Sequence, residues 1–143
     1  MRIEDRLGYQ IADTEHAVRK ALDARLRTHE VTIAQWSVLN LLRMSPGMAT
    51  TELAARSYVS QPAVTEIVGK LERAGLLRRS RREGDGRVRE LFATEEGVRV
   101  ASQGDEQVMA VETQLRAGLS QNEQAQLSEL LARCRESLRA RPA

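Results

Sequence analysis

Six arginines, Arg78, Arg79, Arg81, Arg82, Arg87 and Arg89, fall within a dozen residues, opposed by Glu83, Asp85 and Glu90. Guanidinium groups at this density neutralise phosphates along a nucleic-acid backbone, and one at the tip of a hairpin reaches into a minor groove. Just before them, Gln61–Ala74 carries Val64, Ile67, Val68 and Leu71 at the i, i+3, i+4, i+7 spacing of a helix with one apolar face. The opposite face holds Pro62, Thr65, Glu66, Gly69, Lys70 and Arg73, with small or polar groups first and cations further on. Such a face suits a helix whose first turns enter a major groove, where small residues permit close approach and polar ones meet base edges. Each feature alone has a plainer explanation. A charged helix face is usually just solvated, and an arginine-rich hairpin can serve only to keep a sheet edge from aggregating. Their order and adjacency carry the argument.

Local signals place these residues on elements. Ser60 is an N-cap for the helix, Pro62 sits in its first turn where a missing N–H costs nothing, and Gly75 ends it. Thr51–Arg56, with Leu53 and Ala54 inward, precedes it across the turn Ser57–Ser60, which makes a helix-turn-helix. After Gly75 the period changes: Leu76–Arg82 and Val88–Ala93 read as strands joined by the turn cluster Glu83–Gly86.

Upstream lies an opening helix over Ile3–Thr28, with Ile3, Leu7, Ile11, Val18, Leu22 and Leu26 in helical steps. The capping box Thr32–Gln35, between Val31 and Trp36, then starts a second helix that Ser45-Pro46-Gly47 stops. Downstream, Thr94 caps a long helix with Glu95 and Glu96 in its first turn and a seam of Ala101, Gly104, Val108, Val111 and Leu115. A second capping box, Ser120–Glu123, opens a last helix bearing Leu127, Leu130, Leu131, Cys134 and Leu138. The fold class is mainly α with a small β-hairpin.

Composition narrows the function. The 143 residues are 41% hydrophobic and 29% charged, one domain's worth of ordinary globular sequence. Net charge is only +2, but Thr50–Thr94 holds nine Lys/Arg against six acids, whereas Glu95–Leu131 holds two against seven. Only the middle is suited to face a polyanion. The longest uncharged run, Val31–Leu42, is far short of a bilayer span, and the arginine- and acid-bearing start has no apolar signal region. One cysteine, Cys134, excludes an intrachain disulfide and fits a reducing cytoplasm. No phosphate-binding glycine loop, nucleophile–base arrangement or carboxylate pair supports catalysis, so no enzyme activity and no cofactor are expected.

Taken in order, Val31–Leu39, Glu52-Leu-Ala54, Val59–Thr65, Leu71–Leu76, Asp85-Gly-Arg87 and Thr94–Gly97 resemble the successive signatures of the MarR family of winged helix-turn-helix regulators. The resemblance covers nearly the whole chain and is most specific from Gln61 to Arg87. It implies a homodimer on a pseudo-palindromic operator in double-stranded DNA. Residues 1–30 and 95–143 would supply the dimerisation helices around a 31–94 DNA-binding lobe, all in a single compact domain. It also implies that Asp85 and Arg87 brace the wing and present its tip to the minor groove. A ligand crevice would lie between the dimer helices and the lobe.

Three positions depart from the family pattern: Gly86 replaces an arginine in the wing, Gly69 stands where an acid is frequent, and Ala93 replaces a leucine. Gly69 costs the helix about 1 kcal/mol relative to Ala.

The expected interface follows. Gln61, Pro62, Ala63, Thr65, Glu66 and Lys70 lie at the major groove, Arg87 probes the minor groove, and Arg81, Arg82 and Arg89 bind phosphate. His16, with Asp13, and Trp36 are candidates for a crevice that takes a phenolic or other aromatic effector. Trp36 is more often a core anchor, and two histidines thirteen residues apart make a poor metal site. Cys134, on an apolar stripe, reads as a packed and inert thiol. The function expected is ligand-responsive transcriptional repression in the cytoplasm, away from membranes. The alternative is a winged-helix protein-interaction module that does not bind DNA.

Overall fold

Thr32 opens the second helix through a reciprocal pair of bonds. Its hydroxyl accepts from the Gln35 N–H, and the Gln35 side chain accepts from the Thr32 N–H, both at 3.1 Å. The same device recurs at Ser120 and Glu123. These local bonds fix where helices begin, and the computed structural model, which describes residues 1–57, 59–82 and 85–140, shows what they assemble.

The elements are α1 (Leu7–Arg27), α2 (Ile33–Met44), α3 (Thr50–Ser57), α4 (Gln61–Arg73), β1 (Leu77–Arg82), β2 (Asp85–Ala93), α5 (Glu95–Arg116) and α6 (Gln121–Arg139). Among the described residues this is the mainly helical chain with one antiparallel hairpin that the sequence predicts. The differences lie at the edges. Ile3–Asp5 is a separate 3₁₀ turn, because Arg6 is extended (φ −76°, ψ 130°) and interrupts the helical run. β2 begins at Asp85 rather than Val88, since Arg82 pairs with Asp85 after a bulge. Of the expected turn, Glu83 and Gly84 lie outside the described residues, as does Tyr58 of the turn before α4.

The chain divides into two compact units, Met1–Met109 and Ala110–Ala143. In the first, Val38, Leu39 and Leu42 of α2 are buried with Met48, Leu53 of α3, Val64, Val68 and Leu71 of α4, Leu77 of β1, Leu91 of β2 and Ala101 of α5. Ile67, expected to be buried, is partly covered at the edge of this core. Gly47, at φ +90°, turns the chain after α2 so that its N–H reaches Leu91 O at 2.9 Å, and Leu91 N–H returns to Met48 O at 2.9 Å. The hairpin is thereby stitched to the helical layer.

Two close approaches seat α5 in this unit. A Cβ at Gly97 would lie 2.0 Å from the Leu76 carbonyl oxygen, and one at Gly104 would lie 2.3 Å from Trp36 Cδ1. Trp36 donates its indole N–H to Ala101 O at 3.2 Å, so it anchors α2 against α5. The second unit is held by local bonds: besides the Ser120 cap, Arg116 donates to Gln124 Oε1 at 3.1 Å. No residue of α6 is buried. Cys134 is therefore exposed in the single chain, contrary to the packed thiol expected from its stripe, because the whole stripe is exposed.

Candidate nucleic-acid interface

The face of α4 opposite its core residues is open. Gln61, Pro62, Thr65, Glu66 and Lys70 are exposed, whereas Ala63 is half-buried. Ser60 caps the helix by accepting from the Ala63 N–H, and Pro62, which has no N–H, lies in the first turn. At the other end Gly75 adopts φ +76°. There the Gly75 N–H reaches Glu72 O at 3.0 Å and the Leu76 N–H reaches Leu71 O at 2.9 Å, a paired closure that only a left-handed residue permits. The helix is thus fixed in length at both ends.

Two of the polar groups on this face can accept. Thr65 spends its hydroxyl proton on Gln61 O at 2.9 Å, which leaves oxygen lone pairs facing solvent. Glu66 is a further acceptor, and carboxylates accept from the amino group of cytosine. Its ion pair with Lys70, 3.4 Å long with side chains 70% and 57% exposed, is weak enough to exchange for other partners.

The hairpin is tied to this helix. Arg79 of β1 donates through Nε to Glu72 of α4 at 3.1 Å. Arg78 lies over the Phe92 ring, 4.4 Å from its centroid, across the strand pair. Neither Glu72 nor Phe92 stood out in the sequence, because each contact joins residues brought together only by the strand register. That register also sets Arg81 directly opposite Arg89. Arg89 is exposed; Arg81, Arg82 and Asp85 are placed by the strand register, and Arg87 only by its position within β2.

A capped acceptor-bearing helix, tied by an ion pair to a two-stranded wing, is a winged helix-turn-helix. Residues 31–88 match the model of the MarR family. Over that lobe the chain is similar to the MarR family. It is 26% identical over 129 residues to the homoprotocatechuate degradative operon repressor of Escherichia coli, covering 90% of this chain and 87% of that one. Among solved structures, the transcriptional repressor CouR bound to a 23-mer DNA duplex is 27% identical at a TM-score of 0.84, over 92% of this chain and 94% of that one. A MarR family protein of Mycobacterium tuberculosis in complex with salicylic acid is 26% identical at 0.72, over 90% and 96%.

Two candidates lie outside this interface, His16 and Trp36. His16 is exposed on α1. Trp36 is partly buried with its N–H engaged, so it can offer a ring wall but no free donor. A shallow open depression lies elsewhere, bounded by Gly75, Thr94, Glu95, Glu96, Val98 and Arg99. Among the described residues no group of three or more His, Cys, Asp or Glu could hold a metal ion, and no helix is long and apolar enough to cross a membrane.

Proposed function

We propose that this chain is a sequence-specific, double-stranded-DNA-binding repressor that acts as a homodimer and releases its operator when an aromatic effector binds. The observation that carries the reading is the 3.1 Å bond between Glu72 and Arg79, which joins α4 and the wing into one presented surface. Gln61, Pro62, Ala63, Thr65, Glu66 and Lys70 read base edges in the major groove. Asp85 braces Arg87, Arg87 enters the minor groove, and Arg81, Arg82 and Arg89 neutralise phosphates.

Dimerisation is supported by apolar residues left in solvent near both ends, among them Ile3 (57% exposed), Leu7 (68%), Leu130 (50%) and Leu138 (88%). Residues 1–30 and 95–143 form the dimer helices around the 31–94 lobe, which sets two copies of α4 about one DNA turn apart. The DNA complex of CouR and the operon repressor of Escherichia coli support DNA as the partner. The salicylic acid complex of the mycobacterial protein supports a phenolic or other aromatic effector, with Trp36 and His16 bordering its crevice. An effector that prefers a dimer with the wrong helix spacing shifts the population away from DNA. The protein is a cytoplasmic regulator and not an enzyme.

The test is fluorescence polarization on the DNA flanking its own gene, across a salt series, with and without phenolic compounds. Affinity should fall with a log–log slope of about −0.9 per neutralised phosphate. Arg87→Ala should weaken binding by about 1–3 kcal/mol at fixed salt. Binding without salt dependence would instead identify a winged-helix module for protein partners.

A further inference from the structure

Of the charged residues on α4, three are spoken for. Glu66 pairs with Lys70, and Glu72 pairs with Arg79 of the wing. Arg73 makes no ion pair among the described residues, although it is exposed at the end of the DNA-facing side. Its guanidinium does not extend freely into solvent. A Cβ placed on Gly69, one turn earlier, would meet Arg73 Nη1 at 3.3 Å and both Cζ and Nη2 at 3.9 Å. The guanidinium therefore lies against the space that a side chain at Gly69 would fill, folded back toward the N-terminal half of the helix. A glycine in mid-helix is otherwise unfavourable by about 1 kcal/mol relative to alanine. Here it leaves the room that a side chain would take from the arginine.

We infer that Arg73, folded back against Gly69, is a phosphate-binding residue of the recognition helix, and that Gly69 is the positioning residue that holds it there. The inference rests on the DNA-binding reading above. A guanidinium folded along the helix sits beside the groove that α4 enters, where the phosphates flanking that groove run. Because its partner is backbone, Arg73 strengthens binding to any sequence alike. Its charge is not cancelled within α4, unlike that of Lys70.

The experiment compares wild type, Arg73→Ala, Arg73→Lys, Gly69→Leu and the double variant Gly69→Leu/Arg73→Ala. Each is measured on the flanking DNA and on an unrelated duplex of equal length over a salt series. Arg73→Ala should flatten the salt slope by about 1.8 per dimer, so its penalty shrinks roughly tenfold between about 50 and 200 mM salt. The loss should be equal on both duplexes, and Arg73→Lys should restore the slope. Gly69→Leu should show the same loss while raising the melting temperature by a few degrees, and the double variant should be no weaker than Arg73→Ala. If Gly69→Leu adds its full penalty in the Arg73→Ala background, Gly69 serves close approach to DNA and the positioning role is wrong. If wild type binds with a steep salt slope that Arg73→Ala keeps, this inference fails and the DNA-binding reading stands. A wild type with no salt slope overturns both.

Discussion

The lobe around α4 and the helical hairpin at the C-terminal end use the same residue types to opposite effect. In the lobe, Leu39, Leu53, Val64 and Leu91 are fully buried, so one chain completes its own core. In α6, Leu127, Leu130, Leu131 and Leu138 are between 36% and 88% exposed. Both segments show apolar residues at helical spacing, and both begin at a well-formed cap. What separates them is whether a covering surface exists within the chain. A DNA-reading surface must hold its shape alone, whereas a stripe of exposed leucines is a surface awaiting a partner.

The sharpest way to break the lobe is at a backbone contact rather than a side chain. Thr94 caps α5 by accepting from the Gly97 N–H at 3.1 Å while donating to Gly75 O at 2.7 Å. Gly97 is pressed onto the Leu76 carbonyl at this junction. Gly97→Ala puts a methyl group where a backbone oxygen lies, so neither atom can swing away. It should cost about 3 kcal/mol, the upper end for overpacking. Chemical denaturation reads the loss, and a change within about 0.5 kcal/mol would show that the wing and α5 are not rigidly joined.

At the C-terminal end the same size of insult should do something else. Leu130→Glu places a charge on an exposed position, so the single chain should keep its helices by circular dichroism. Sedimentation should instead show monomers. Operator affinity should fall by about a hundredfold, because two lobes no longer share one effective concentration on DNA. A dimer that survives Leu130→Glu would move the partner surface away from α6.

The contrast also explains what the sequence disclosed and what it withheld. Caps were legible at Thr32, Ser60 and Ser120 because donor and acceptor lie within three residues of each other. The bounds of α4 were legible to within one residue for the same reason. The start of β2 at Asp85 was not, since it depends on a bulged pairing with Arg82. The turn at Ile3–Asp5 was read as helix because the step from Ile3 to Leu7 is helical in period, while Arg6 is extended in backbone. At the candidate interface, the exposed face of α4 followed from its wheel. The Glu72–Arg79 tie did not, because the two residues meet across a helix end and a strand. Periodicity likewise marked the stripe of Cys134 as apolar but could not say whether its cover lay in the same chain.

The smallest expected effect tests how the C-terminal hairpin holds itself without a core. The Ser120 N–H donates to the Glu123 carboxylate at 2.9 Å, and that bond, helped by the Ser120 side chain, holds the carboxyl below the ordinary glutamate range. A carboxyl depressed in the folded state stabilises it above the unfolded value, and the contribution disappears as pH falls through the folded value. The cap should therefore be intact at neutral pH and fail only in acid, loosening the first turn of α6. Glu123→Gln keeps an oxygen that accepts the same bond but cannot titrate. Protection from amide exchange at the start of α6, taken relative to the intrinsic rate at each pH from about 6 to about 3, should fall further at the acid end in wild type than in Glu123→Gln. Identical profiles would mean that the serine alone caps the helix, and that the hairpin owes nothing to the charge of its neighbour.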